Sequence, residues 1–167
     1  MTVVRHLVAI VLLPGVVTLV VPALILARSG TNVGWGWSGG AAAVPVVAGI
    51  ALIATGLALV AWTVSLFATA GKGTLAPWDP TERLVVRGPY RHVRNPMISG
   101  VLCILLGEAA LFGSLDLLLW FAVVWTVNAL YFPLVEEPGL ERRFGDAYRE
   151  YRANVPRWLP RGRPWIP

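Results

Sequence analysis

Apolar residues fall in long blocks at 7–27, 41–70, 97–112 and 115–135, and the segments between and after them carry nearly all the charge. A bilayer core of about 30 Å takes roughly 20 apolar residues per helix. The blocks therefore predict about four membrane-spanning helices. Block 41–70 is long enough to cross with tilt, whereas 97–112 is short for a full span. Gly113 and Ser114 separate the last two blocks by a tight turn, which makes them a helical hairpin. The first block follows Arg5, as a signal peptide would, but it exceeds the roughly 7–15 apolar residues of such a segment. A retained helix is expected there, with Pro14 and Pro22 tolerated through neighbouring helices.

The polar stretches refine this picture. Pro77, Pro80, Gly88 and Pro89 interrupt 71–96, so no continuous helix is expected there. After the last block, Leu140, Phe144, Tyr148, Tyr151 and Val155 recur at near-helical spacing among arginines. This predicts one amphipathic helix lying on the membrane or capping the bundle, followed by an irregular Pro-, Arg- and Trp-rich tail. The fold class is thus an all-α integral membrane protein, a single domain over 1–167.

Composition agrees, with 56% hydrophobic residues, 14% charged residues and a mean hydropathy of +0.66. Four spans put the N-terminus, 71–96 and the C-terminal region on one side. Of the 14 Lys and Arg, Arg28 alone lies opposite. The excess of positive loops marks that side as cytoplasmic and leaves both termini there, in a bacterial or archaeal cell membrane. The net charge of +5 is then a headgroup anchor; it comes with no nucleic-acid motif. Cys103 is the one cysteine, and His6 and His92 are far apart, so no metal site is expected.

Two polar segments carry candidate chemistry. Asn95 before Pro96 predicts a helix start, since Asn favours the N-cap and Pro the first turn. A helix N-terminus suits an anionic group. The turn at Gly88-Pro89 brings Tyr90 back toward it. Beyond the fourth block, Glu136 and Glu137 stand at the end of an apolar span. Glu136 there is equally suited to a ligand cation or ribose hydroxyls and to a salt bridge with Arg83, Arg91 or Arg94.

The run Gly88-Pro89-Tyr90, Arg94-Asn95-Pro96 and Gly100 resembles the G-x-Y-x-x-x-R-H-P-x-Y-x-G motif of the isoprenylcysteine carboxyl methyltransferase family and its phospholipid methyltransferase relatives. Glu136-Glu137, Leu140, Phe144-Gly145, Tyr148 and Tyr151 resemble the same family's C-terminal signature. The resemblance covers about half of the chain. It implies S-adenosylmethionine as methyl donor, bound by segments 71–96 and 136–160. By position, the implied contacts are Glu82, Arg83, Leu84, Val85, Tyr90, Asn95, Pro96, Met97, Ile98 and Glu136. Asn95 replaces the usual His and Ile98 the usual Tyr. Phe132 stands where the carboxyl methyltransferases place an arginine for the substrate carboxylate.

The expected function is methyl transfer to a lipophilic small molecule or a membrane lipid. Because Phe132 cannot pair a carboxylate, the acceptor is expected to be neutral or amine-bearing. Positioning dominates such a reaction. Where an acceptor needs deprotonation, Tyr90, His92 and Glu136 are the candidates. Phe132, Glu108 and Asn128 are the candidate acceptor contacts, the last two competing with plain interhelical hydrogen bonding. The alternatives are a non-catalytic lipid-binding protein on the same fold and a nicotinamide-dependent membrane reductase.

Overall fold

A computed structural model describes residues 11–66, 69 and 84–167. Helix α1 (Val21–Ser29) continues a π-helical stretch, Val11–Val20, that contains Pro14. A connector with two 3-10 turns leads to α2 (Ala43–Leu66). After the segment 84–87 and a 3-10 turn (Gly88–Arg91) come α3 (Pro96–Phe112) and α4 (Leu115–Tyr131). A π turn (Phe132–Glu136) joins α4 to α5 (Glu137–Phe144), and α6 (Asp146–Asn154) precedes the tail. No strand occurs among the described residues.

Three helical stretches are long and apolar enough to cross a membrane, namely Pro14–Gly36, Gly39–Leu66 and Leu115–Phe144, and Pro96–Phe112 is a shorter apolar helix. The outer faces are what lipid would touch. Leu57, Leu119, Val127 and Leu134 are more than half exposed. In water such faces would be a liability, but against lipid tails they cost nothing.

Helices gain no hydrophobic drive to associate within lipid, so close packing has to hold them. Helices α2 and α3 supply it with glycines spaced seven apart on each. A Cβ on Gly49 would lie 2.7 Å from the Gly107 carbonyl oxygen, and one on Gly56 would lie 2.5 Å from that of Gly100. The pairing of 49 with 107 and 56 with 100 makes the two helices antiparallel with their backbones in contact.

The hairpin turn is built as expected. Gly113 takes φ +60° at the end of α3, a conformation open to glycine at little cost. Ser114 Oγ accepts from the Leu117 amide at 3.3 Å and caps α4. At the same end, Trp35 Nε1 donates to the Ala110 carbonyl at 3.0 Å, and the Asn32 amide donates to that of Phe112 at 2.8 Å. Both satisfy last-turn carbonyls that α3 leaves open. Trp120 Nε1 donates to the Val17 carbonyl at 3.0 Å and ties α4 to the first stretch.

Two features differ from the sequence expectation. Pro133 has no N–H and cannot continue the α-helical ladder, so the fourth helix widens into the π turn, with the Glu137 amide bonded to the Phe132 carbonyl. The amphipathic segment is two helices, because Gly145 adopts φ +56° and ends α5. Tyr148, Tyr151 and Val155 still share one buried face, packed against Leu84, Val86 and Trp165.

The α2–α3 contact gives a direct test. In Gly56→Val the new side chain meets backbone that cannot yield, so a loss of about 1–3 kcal/mol is expected. It should appear as a lower melting midpoint in detergent, while Gly162→Ala, which faces open space, melts like the parent.

Candidate active site at the start of α3

The tandem acids after α4 have separate environments. Successive helical residues point about 100° apart, and only Glu137 turns inward. Its carboxylate accepts from Arg94 Nη1 at 2.8 Å, and from Arg157 Nε and Nη2 at 2.6 and 3.0 Å. The side chains of Glu137 and Arg94 are only 7% and 11% exposed, so this is a buried clamp joining α3's entry, α5 and the tail. The forked contact of Arg157 is the strong bidentate form, and Glu137 holds that guanidinium in its charged state. Glu136 has no ion pair or hydrogen bond among the described residues. The salt bridge open to Glu136 in the sequence is therefore formed by its neighbour.

The start of α3 lies beside this clamp. Asn95 occupies the N-cap position, and its carbonyl accepts from both the amide and the hydroxyl of Ser99 at 3.0 Å. Its side chain does not cap the helix. Instead, Asn95 Nδ2 and the neighbouring Arg94 Nε are buried donors without an acceptor. Buried donors are rarely left so. Two of them, next to the free N–H groups of a helix start, make a local surplus of hydrogen-bond donors.

Tyrosines knit the region together. Tyr151 Oη donates to the Tyr90 carbonyl at 2.8 Å. Burial raises the Tyr90 phenol well above its ordinary value, and the nearby Tyr151 and Glu136 add to the shift. Burial also raises Tyr151, which keeps it a donor. Tyr148 is raised by burial and by the Glu137 charge, while a hydrogen bond from Arg94 opposes the shift and Glu136 adds to it. Tyr90, Tyr148, Arg94, Glu136 and Glu137 thus all lie within electrostatic reach of one another's neighbourhood.

The tail beyond α6 is irregular but docked. The Arg94 amide donates to the Pro156 carbonyl at 2.9 Å, the Arg161 amide to that of His92 at 3.0 Å, and the Trp165 amide to that of Arg91 at 3.0 Å. His92 Nδ1 meets the Arg161 carbonyl at 2.8 Å, so this ring is engaged in holding the tail. Trp158 stands edge-on to Phe132 with centroids 5.7 Å apart, and packs on the α3–α4 core beside Ile98. Phe132 is buried beneath it.

The remaining predicted residues divide by depth. Leu84 packs toward α6 with Val86, Val85 and Pro96 are buried, and Met97 follows in the first turn of α3. Glu82 and Arg83 lie outside the described residues. Asn128 donates to the Val124 carbonyl of its own helix at 2.8 Å. Glu108, with Oε2 buried and unpartnered, lies twelve residues into α3, about 18 Å from its start, so the structure does not bring it to this end. A cleft of about 610 Å³ lined by Leu84, Val85, Arg87, Arg91, Glu150 and Trp165 shares two residues with the predicted set and none of Tyr90, Asn95 or Glu136.

Sequence reasoning named Arg94 and Glu137 as motif residues but did not pair them with each other, and it passed over Arg157 and Trp158. The tandem Glu136-Glu137 held the one available signal, since two adjacent helical acids cannot face the same way. Nothing in the tail's composition announces its docking.

Three helices long and apolar enough to cross a membrane and a shorter apolar one, among the described residues, give the architecture of an integral membrane protein. The family model described as phospholipid methyltransferase matches residues 44–147. That stretch runs from α2 to the start of α6, and the chain belongs to this family. No curated protein and no solved structure matches it significantly.

The division between the acids predicts unequal losses. Glu137→Ala leaves two guanidinium groups without their partner and should cost about 3–5 kcal/mol. Glu136→Ala should stay within about 1 kcal/mol of the parent. Melting of both variants in detergent decides the comparison.

Proposed function

We propose that the protein is an S-adenosylmethionine-dependent methyltransferase that modifies a lipophilic small molecule or lipid at the cytoplasmic face of a bacterial or archaeal membrane. Both termini lie on that face, in keeping with the placement of the arginines. The observation that carries the reading is the pairing of unsatisfied groups at the start of α3. Arg94 Nε and Asn95 Nδ2 are buried donors with no acceptor, and Glu136 is an acceptor with no donor among the described residues.

These residues fit the proposed donor. Its carboxylate matches the free donors and the helix N-terminus. Its cationic centre matches Glu136. When bound, it supplies an activated methyl group, so the chain's task is alignment and exclusion of water. Tyr90, fixed through its carbonyl by Tyr151, forms a rigid edge of the site. Ile98, Phe132 and Trp158 form an apolar boundary toward the lipid span. With no cation at Phe132, a carboxylate acceptor finds no partner there, which favours a neutral or amine-bearing lipophile. His92, tied to the tail, is poorly placed as a base. Glu136 is the better candidate where the acceptor carries a proton.

Calorimetric titration of the purified protein in detergent tests this. Saturable binding of S-adenosylmethionine is expected, weakened about tenfold or more in Glu136→Ala and in Asn95→Ala. Absence of saturable binding up to millimolar ligand would rule out the cofactor. Transfer of a labelled methyl group into phospholipid vesicles then identifies the acceptor.

A further inference from the structure

The clamp around Glu137 joins one carboxylate to two guanidinium groups, the buried Arg94 and the partly exposed Arg157, with Glu136 close enough to act on Glu137. Arg94 spends Nη1 on Glu137 and keeps Nε buried without an acceptor. Arg157 takes both oxygens of Glu137, Nε on Oε1 at 2.6 Å and Nη2 on Oε2 at 3.0 Å. This fork fixes the plane of the carboxylate, and in that orientation Oε1 also accepts from Arg94 Nη1.

Arg157 lies in the tail, beyond residues 44–147 that match the family. The tail is fixed by backbone hydrogen bonds from Arg94 to Pro156 and from Arg161 to His92, and these hold Arg157 in place.

We propose that Arg157 is a positioning residue for the carboxylate end of the donor: by fixing the Glu137 carboxylate it orients the Arg94 guanidinium and leaves Arg94 Nε free beside Asn95 Nδ2. The proposal rests on the function proposed above and adds a residue to it. The site then matches a dipolar ligand, with Glu136 toward the cation and the Arg94–Arg157 pair toward the anion.

Two ligands that differ in the amino-acid end test it. S-adenosylhomocysteine carries that end, and 5′-methylthioadenosine lacks it; both are uncharged at sulfur. The full-length protein in detergent should bind the first more tightly. Arg157→Ala should weaken S-adenosylhomocysteine about tenfold or more and leave 5′-methylthioadenosine within about twofold. Arg157→Lys keeps the charge but loses the fork, so it should restore much of the difference. Equal loss for both ligands, or no loss for either, overturns the proposal and leaves Arg157 a structural residue. So does a parent protein that binds the two ligands equally. A parent that binds neither these ligands nor S-adenosylmethionine instead overturns the proposed function itself. Melting midpoints are followed in parallel. If Arg157→Ala does not fold, Arg157→Lys decides, with an expected fall of about threefold in the affinity ratio and an unchanged ratio counting against the proposal.

Discussion

The carboxylate of Glu137 is where three parts of the chain are held together. Arg94 belongs to the entry of α3, Glu137 to the start of α5 and Arg157 to the tail. None of these segments is long or apolar enough to organise itself by burial. In water an exposed ion pair of this kind would contribute little. Here burial strengthens each interaction and makes a missing partner costly. The geometry at the start of α3 depends on this contact, because Arg94 is the residue before Asn95. The tyrosines of α6 reinforce it, with Tyr148 buried against the same charges and Tyr151 holding the Tyr90 carbonyl.

The π turn at Phe132–Glu136 decides which acid does which work. Pro133 removes one donor from the α4 ladder, and the chain responds with one extra residue per turn. Glu136 and Glu137 are thereby rotated relative to the face that α4 presents to the core. Glu137 is buried in the clamp and Glu136 is left without a pairing group among the described residues. A proline in the last turn thus links the end of a membrane helix to the separation of a clamped carboxylate from an unpaired one.

Much of the bundle was legible because lipid imposes a simple rule. Apolar blocks of sufficient length have to be helices, and the boundaries at Pro96, Phe112 and Leu115 follow from Asn95-Pro96 and Gly113-Ser114. The start of α3 was legible for the same local reason, though the Asn95 side chain does not cap it. Details set by single backbone conformations were less so. Gly145 splits the amphipathic segment by taking a positive φ, yet its spacing among Phe144 and Tyr148 reads as continuous helix. The tail was least legible. Its docking uses backbone hydrogen bonds from residues 91–94 to 156–165, and backbone groups leave no mark on side-chain pattern. The choice between Glu136 and Glu137 was hidden too, since it turns on the π turn.

The tail also bears on the acceptor. Trp158 follows Arg157 directly and meets Phe132 edge-on at an interplanar angle of 83°. The clamp therefore fixes both the polar edge of the site and its apolar boundary, through neighbouring residues of one strap. Phe132 lies one turn before Glu136, and Ile98 lies in the first turn of α3, so Trp158 bridges the two helices at the level where the polar site meets the span. On the function proposed above, the acceptor would be recognised on the apolar side of this site and the donor on the polar side. A carboxylate arriving beside Phe132 and Trp158 would lose its hydration without gaining a partner. A lipophilic stem there would lose nothing. On the function proposed above, the aromatic ring at Phe132 would thus bear on the choice of acceptor while leaving the groups around Arg94 and Asn95 untouched.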